Sequence, residues 1–215
     1  ARPLLKETRN KRPRPGADTK VLTDWNGLAI SALARAGHVC RRPDFIAAAQ
    51  KAATFILKTM VRKDGTLLHR WCEGEAAVDG VLTDYAYLIE GLLDLFEADG
   101  DARWVAAARD LAAAAGKQCA DPAGGFFDSP LQATDLPVRL KDAYDGARPS
   151  GNSTHCRNLF RLADLTGDRK LGEAARGILK VFRADLDAAP HAYPAMLRAL
   201  DIAHAGQREI VVLGP

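Results

Sequence analysis

Apolar residues recur at helical spacing through six segments, roughly 24–37, 44–61, 83–98, 101–118, 151–166 and 168–187, with a seventh near 191–205. This pattern predicts a mainly α-helical chain. The second, fourth and sixth segments share a pattern: "RPDFIAAAQKAATFI", "DARWVAAARDLAAAA" and "DRKLGEAARGILKVF". Aligning Phe45, Trp104 and Leu171 also aligns Ala48-Ala49, Ala107-Ala108 and Ala174-Ala175, which gives repeat spacings of 59 and 67 residues. Each unit reads as a helical hairpin: a first helix, a short turn holding Gly and Asp, and a second, alanine-rich helix whose small side chains allow close approach. Asp44, Asp101 and Asp168 fall where helix N-caps belong.

The connections between hairpins are longer. Alternation around "TLLHRW" predicts a small β-hairpin near 65–81, and Asp121–Ser153 exceeds the usual length of a loop in a folded domain. Hairpins of about sixty residues with long loops on one side predict a helical solenoid or a closed α/α toroid. The expected organisation is a basic linker over 1–20, three hairpins over 21–206, and the start of a strand or following segment over 207–215, with the strand itself at 209–213.

Composition changes this picture little. With 215 residues, 47% hydrophobic and 27% charged, the chain fits one domain or two small ones. No apolar run reaches the ~18–20 residues of a membrane span, and the basic, proline-containing start has no signal-peptide core. A soluble cytoplasmic protein is expected. Cys40, Cys72, Cys119 and Cys156 form no C-x-x-C pair and read as reduced thiols. The net charge of +3 owes much to the first twenty residues, which interleave no aromatics for base stacking, so no nucleic-acid partner is expected. The phosphate-loop, nucleophile-elbow, zinc-protease and dinucleotide fingerprints are all missing, and no metal or cofactor is expected.

The chemistry rests on a repetition. "VLTD" occurs at Val21–Asp24 and again at Val81–Asp84, each time before an apolar run. One reading makes Thr23 and Thr83 N-caps, with Asp24 and Asp84 stabilising the first turn. The other sets two repeat-related acids at equivalent helix ends facing one cavity, as sugar chemistry with paired carboxylates requires. The third repeat offers Ser150, Asn152 and Ser153 at the corresponding rim. Trp25, Asn26, Tyr85, Trp71 and Phe126-Phe127 are candidates to meet a sugar. Isomerisation instead needs a base near neutral pH, for which His69 in the rim hairpin is the best of five histidines, with His155 next. Lys141, Asp145 and Arg148 make "RLKDAYDGARPSGNS" a candidate clamp for an anionic or hydroxyl-rich ligand, against a reading as a self-satisfied turn.

Several stretches, in order, carry a family resemblance: "RPRPGADTKVLTDWNGLAISALARAG", "DGTLLHRW", "LTDYAYLIEGLLDLFEADGDARWVAAA", "GGFFDS" and "VRLKDAYDGARPSGNS" followed by "NLFRLADLTGD". They resemble the helical region of the spermatogenesis-associated protein 20/YyaL-type family. That resemblance implies an all-α partial toroid of antiparallel hairpins, similar to six-hairpin glycosidases and N-acylglucosamine 2-epimerases. It also implies a longer polypeptide carrying a thioredoxin-like domain, of which this chain is a fragment. Two functional classes follow: a carbohydrate-active domain binding a sugar or polyol at its concave end, as a glycosidase or an isomerase/epimerase, or a non-catalytic helical scaffold for the thioredoxin-like domain.

Overall fold

The computed structural model describes residues 2–134 and 136–205. The segment 207–215 and its expected strand lie outside the described residues.

The periodic segments form helices close to their expected bounds. They are α2 (Thr23–Val39), α3 (Pro43–Thr59), α4 (Leu82–Asp99), α5 (Arg103–Cys119), α6 (Gly151–Thr166), α7 (Arg169–Val181) and α9 (Pro194–Ala205), with a short α8 (Arg183–Ala188) and one 3₁₀ turn at Pro190–Ala192. The single helix expected over 168–187 is broken at Phe182, whose backbone leaves the helical region (φ −94°, ψ 11°). The break lets both Phe182 and Leu186 reach the core. At the other end of the chain, Arg2–Asn10 forms a helix, α1, where a linker is expected. Leu4, Leu5, Lys6 and Glu7 are good helix formers, Glu7 and Lys11 make an i,i+4 ion pair, and the whole helix is exposed.

Three hairpins, α2–α3, α4–α5 and α6–α7, are present, and their first helices pack in a row, α2 on α4, α4 on α6 and α6 on α9. The second helices stand behind them. Helix α4, in the middle, is buried on nearly every side through Tyr85, Leu88, Ile89, Leu92 and Leu95, which explains why its sequence is apolar all round. The row is close because two glycines permit it. A Cβ on Gly27 would lie 2.5 Å from the Tyr87 carbonyl carbon, and one on Gly91 would lie 2.7 Å from the Gly27 oxygen.

Of the three expected aspartate caps, Asp168 accepts from the Lys170 N–H at 3.0 Å and caps α7. Asp101 accepts from Arg103 N–H at 3.0 Å in the same way, two residues ahead of the helix. Asp44 does not cap: Pro43 takes the first helical position, and the Asp44 carboxylate instead receives two bonds from the Arg42 guanidinium.

The expected β-hairpin is formed by β2 (Leu68–Cys72) and β3 (Glu75–Asp79), turning through Glu73 and Gly74, both at positive φ. A third, two-residue strand, β1 (Val21–Leu22), pairs antiparallel with β2, Val21 opposite Trp71 and Leu22 opposite Arg70. This pairing joins the start of α2 to the hairpin that carries His69. It positions the site.

Candidate functional site

Helices α2, α4 and α6 all begin at the same end of the row, and their first turns meet there. Thr23 and Thr83 are not the caps expected of them, since Leu22 and Val81 occupy the cap positions. The Thr23 hydroxyl instead donates to the Leu68 carbonyl at 2.6 Å, tying α2 to β2.

Asp84 is the organiser of this end. It is fully buried, and its two oxygens accept from the Val81 N–H of its own helix at 2.9 Å, from the Asp24 N–H of α2 at 3.0 Å, and from His69 Nδ1 at 3.0 Å. One carboxylate thus satisfies orphan donors at two helix starts and holds an imidazole from a strand. Asp24, also buried, accepts from the Trp25 N–H at 2.8 Å and from the Arg148 guanidinium at 2.5 Å. Arg148 lies three residues before α6, is about half exposed, and stands over the Tyr87 ring at 5.9 Å.

Burial pushes the Asp84 carboxyl above the ordinary carboxylate value; the bond from His69 pulls the other way and nearby Asp24 adds to the rise. The Asp84 bond in turn raises His69 above the ordinary imidazole value of 6.5, against a smaller opposing effect of burial. With Nδ1–H donating to Asp84, Nε2 is left as the basic nitrogen, on a side chain 30% exposed.

Asp24, His69 and Asp84 each present one donor atom, and the three atoms lie within 4.8 Å of one another. Two carboxylates and an imidazole at that spacing are a donor set suited to a divalent cation. To bind one, His69 and Asp24 would have to release Asp84 and Arg148. No sequence motif announces the set because its members come from three separate elements.

The remaining candidates divide sharply. Trp25 is 62% exposed in the first turn of α2, and Asn26 beside it donates to the Leu22 carbonyl at 2.8 Å. Tyr85 is core, not rim: its hydroxyl is buried and accepts from the Leu67 N–H. Trp71 packs edge-on against Phe55, Phe126 against His155, and Phe127 lies under the Arg139 guanidinium. The expected clamp loop is largely occupied with itself. Lys141 binds Asp121 and the Gly124 carbonyl. Asp145 accepts from the N–H groups of Ser150 and Ala195. Ser150 caps α6 through the Ser153 N–H, and Ser153 donates to the Ala143 carbonyl. Asn152, fully buried, spends its amide on Phe126 and Asp142 backbone. Only Arg148 of this loop reaches the acids. His155 is buried, and neither ring nitrogen has a partner among the described residues.

Asp128 escapes a sequence reading. Its carbonyl accepts from the Leu82 N–H at the start of α4, and burial, with Asp142 nearby, raises its carboxyl to about 6. The available signal is an acid directly after the "GGFF" turn.

No family model matches the chain. Among curated proteins it is 36% identical over 221 residues to spermatogenesis-associated protein 20 of Rattus norvegicus, covering 98% of this chain and 28% of that protein. The chain is a relative of spermatogenesis-associated protein 20. The Homo sapiens protein is 34% identical with the same coverage, so this chain spans a little over a quarter of the length of these relatives. Solved structures fix the architecture. A family 76 glycoside hydrolase α-mannanase from Bacteroides thetaiotaomicron superposes with a TM-score of 0.64 at 18% identity, over 80% of this chain and 47% of that one. An unsaturated glucuronyl hydrolase specific for heparin gives 0.61 at 20%, over 79% and 48%. Cellobiose 2-epimerase from Spirochaeta thermophila gives 0.61 at 16%, over 76% and 43%. At such identities the likeness is one of fold: the row of hairpins is an arc of an α/α toroid of the six-hairpin glycosidase type. No helix of the described residues is long and apolar enough to cross a membrane.

Proposed function

We propose that the mouth formed by the first turns of α2, α4 and α6 binds a sugar or related polyol, with His69 and Asp24 as its working groups. The observation that carries this reading is the Asp84–His69 bond. It uses a buried carboxylate to orient an imidazole whose other nitrogen is basic, on the rim hairpin of a fold shared with sugar enzymes. Exposed Trp25 supplies a face for a sugar ring and Arg148 a guanidinium for its oxygens.

Within that reading, isomerisation or epimerisation fits better than hydrolysis. Hydrolysis asks both carboxylates to reach the substrate, whereas Asp84 has no exposed surface and is saturated by N–H donors. A carboxylate that only orients leaves His69 Nε2 to take a proton from a carbon beside a carbonyl, with Arg148 placed to stabilise the enediolate oxygen that results. Four unpaired cysteines suit a reducing compartment, the cytoplasm.

The scaffold alternative has its own support in the self-satisfied loop 141–153. It makes this arc a platform for other parts of a longer polypeptide, a thioredoxin-like domain among them. A thermal-shift panel of neutral sugars and polyols separates the two. Our reading expects at least one compound to raise the Tm of the wild type saturably, and Asp24→Asn and His69→Gln to abolish that rise while melting within a few degrees of wild type. A panel that never stabilises the full-length polypeptide would favour the scaffold.

A further inference from the structure

Further along the same row of helices lies a second charged cluster, remote from the mouth. Asp84 and Asp94 are ten residues apart on α4, which is about 15 Å of helix. Around Asp94 three helices of the row contribute arginines: Arg35 from α2, Arg157 and Arg161 from α6, and Arg198 from α9. They line a pocket of about 170 Å³ together with Asp94, Glu97 and Ile202. At roughly 30 Å³ per water molecule, that is room for a small polyatomic ion.

The charges of this cluster do not balance. Arg157 pairs with Glu90, while Arg161 pairs with Asp94 at 2.8 Å and Glu97 at 2.7 Å. All three acids are thereby engaged. Arg35 and Arg198 have no ionic partner among the described residues. Arg157 is only 9% exposed, and its Nε–H is buried without an acceptor among the described residues. A buried guanidinium donor left unpaired costs free energy unless something else accepts from it. Burial, together with repulsion from Arg198, Arg161 and Arg35, lowers Arg157 to about 10. Four guanidinium groups therefore share one small space with an excess of positive charge and an unused donor.

We propose that this pocket is an anion site, taking a small multivalent oxyanion of the phosphate class through Arg35, Arg157 and Arg198. Planar guanidinium forks match the oxygens of such an ion, and its negative charge more than offsets the single positive charge by which the four arginines exceed Glu90, Asp94 and Glu97. The site is independent of the sugar reading at the mouth.

The test titrates the chain with inorganic phosphate at constant ionic strength, with chloride as the control, and follows Tm. The proposal expects a saturable rise of about 5 °C at a hundredfold excess over the dissociation constant, with chloride inert. Arg35→Ala and Arg198→Ala, at exposed positions outside any ion pair, should together remove the rise and leave the basal Tm nearly unchanged. The same rise in Asp24→Asn would show that the response does not come from the mouth. Comparison with a sugar phosphate tells the source: a larger rise points to the phosphate group of a larger molecule, an equal one to the free ion. No phosphate-specific rise, or a rise that survives in the double variant, overturns the proposal.

Discussion

His69 and His155 show how differently two imidazoles are set by their surroundings. His69 is raised by Asp84, so its proton stabilises the folded state fully below the ordinary value of 6.5, and that stabilisation is lost as pH rises through the raised folded value. Denaturant melts of wild type and His69→Gln should therefore diverge at acid pH and converge as pH rises past the neutral range; a constant difference would refute the bond to Asp84. His155 has the opposite sign. Burial lowers it to about 4, so the fold keeps it neutral, and stability is lost as pH falls from 6.5 toward 4, by about 3 kcal/mol. His155→Leu fills the apolar site without unpartnered nitrogens, and its melting temperature should vary less than that of wild type over that interval. The two acids separate at this scale too. Asp84→Asn disturbs bonds to three donors and should cost about 3 kcal/mol in a urea melt, whereas Asp24→Asn, whose Arg148 partner is half exposed, should cost about 1 kcal/mol.

Between elements, the decisive contact is the approach of α2 to α4. Gly27 and Gly91 face each other across it, and a methyl group at either would enter the backbone of the neighbouring helix. Gly27→Ala should cost about 3 kcal/mol by overpacking, checked by chemical denaturation, even though alanine is the better helix former. The same approach brings the Asp24 N–H within reach of Asp84, so loosening it should also weaken the His69 geometry. The helices themselves were legible from periodicity, because apolar residues recur at helical spacing wherever a helix packs against the row, even in α4, which is buried on nearly every side. What periodicity could not show was capping. "VLTD" suggests Thr23 and Thr83 as caps, yet α2 starts one residue earlier and α4 two residues earlier, which leaves Thr23 to bond Leu68 and Asp84 to serve donors at both helix starts and on β2. Long-range hydrogen bonds of this kind leave no local pattern.

For the whole molecule, the repeat spacing near sixty residues indicated a helical solenoid or a closed toroid, the family resemblance narrowed this to part of a toroid, and the solved sugar enzymes share that arc at identities of 20% or less. The site was legible in part. Asp24, Asp84, His69 and Arg148 were all nominated and do meet, because repeat-equivalent helix starts converge in this architecture. Their roles were not legible: only the structure makes Asp84 a buried organiser and withdraws Tyr85, Lys141, Asp145, Ser150, Asn152 and Ser153 into local hydrogen bonds. The charged belt of Glu90, Asp94, Arg157 and Arg161 was hidden inside segments that read as ordinary amphipathic helix.

Nitrogen-detected NMR of the His69 imidazole decides whether Asp84 holds the ring with its Nε2 basic and available to a sugar. The expected result is the Nδ1–H tautomer, titration above 6.5, and a shift of the Nε2 resonance when a stabilising sugar is added. An Nε2–H tautomer titrating at the ordinary value, with no response to any sugar, would contradict it.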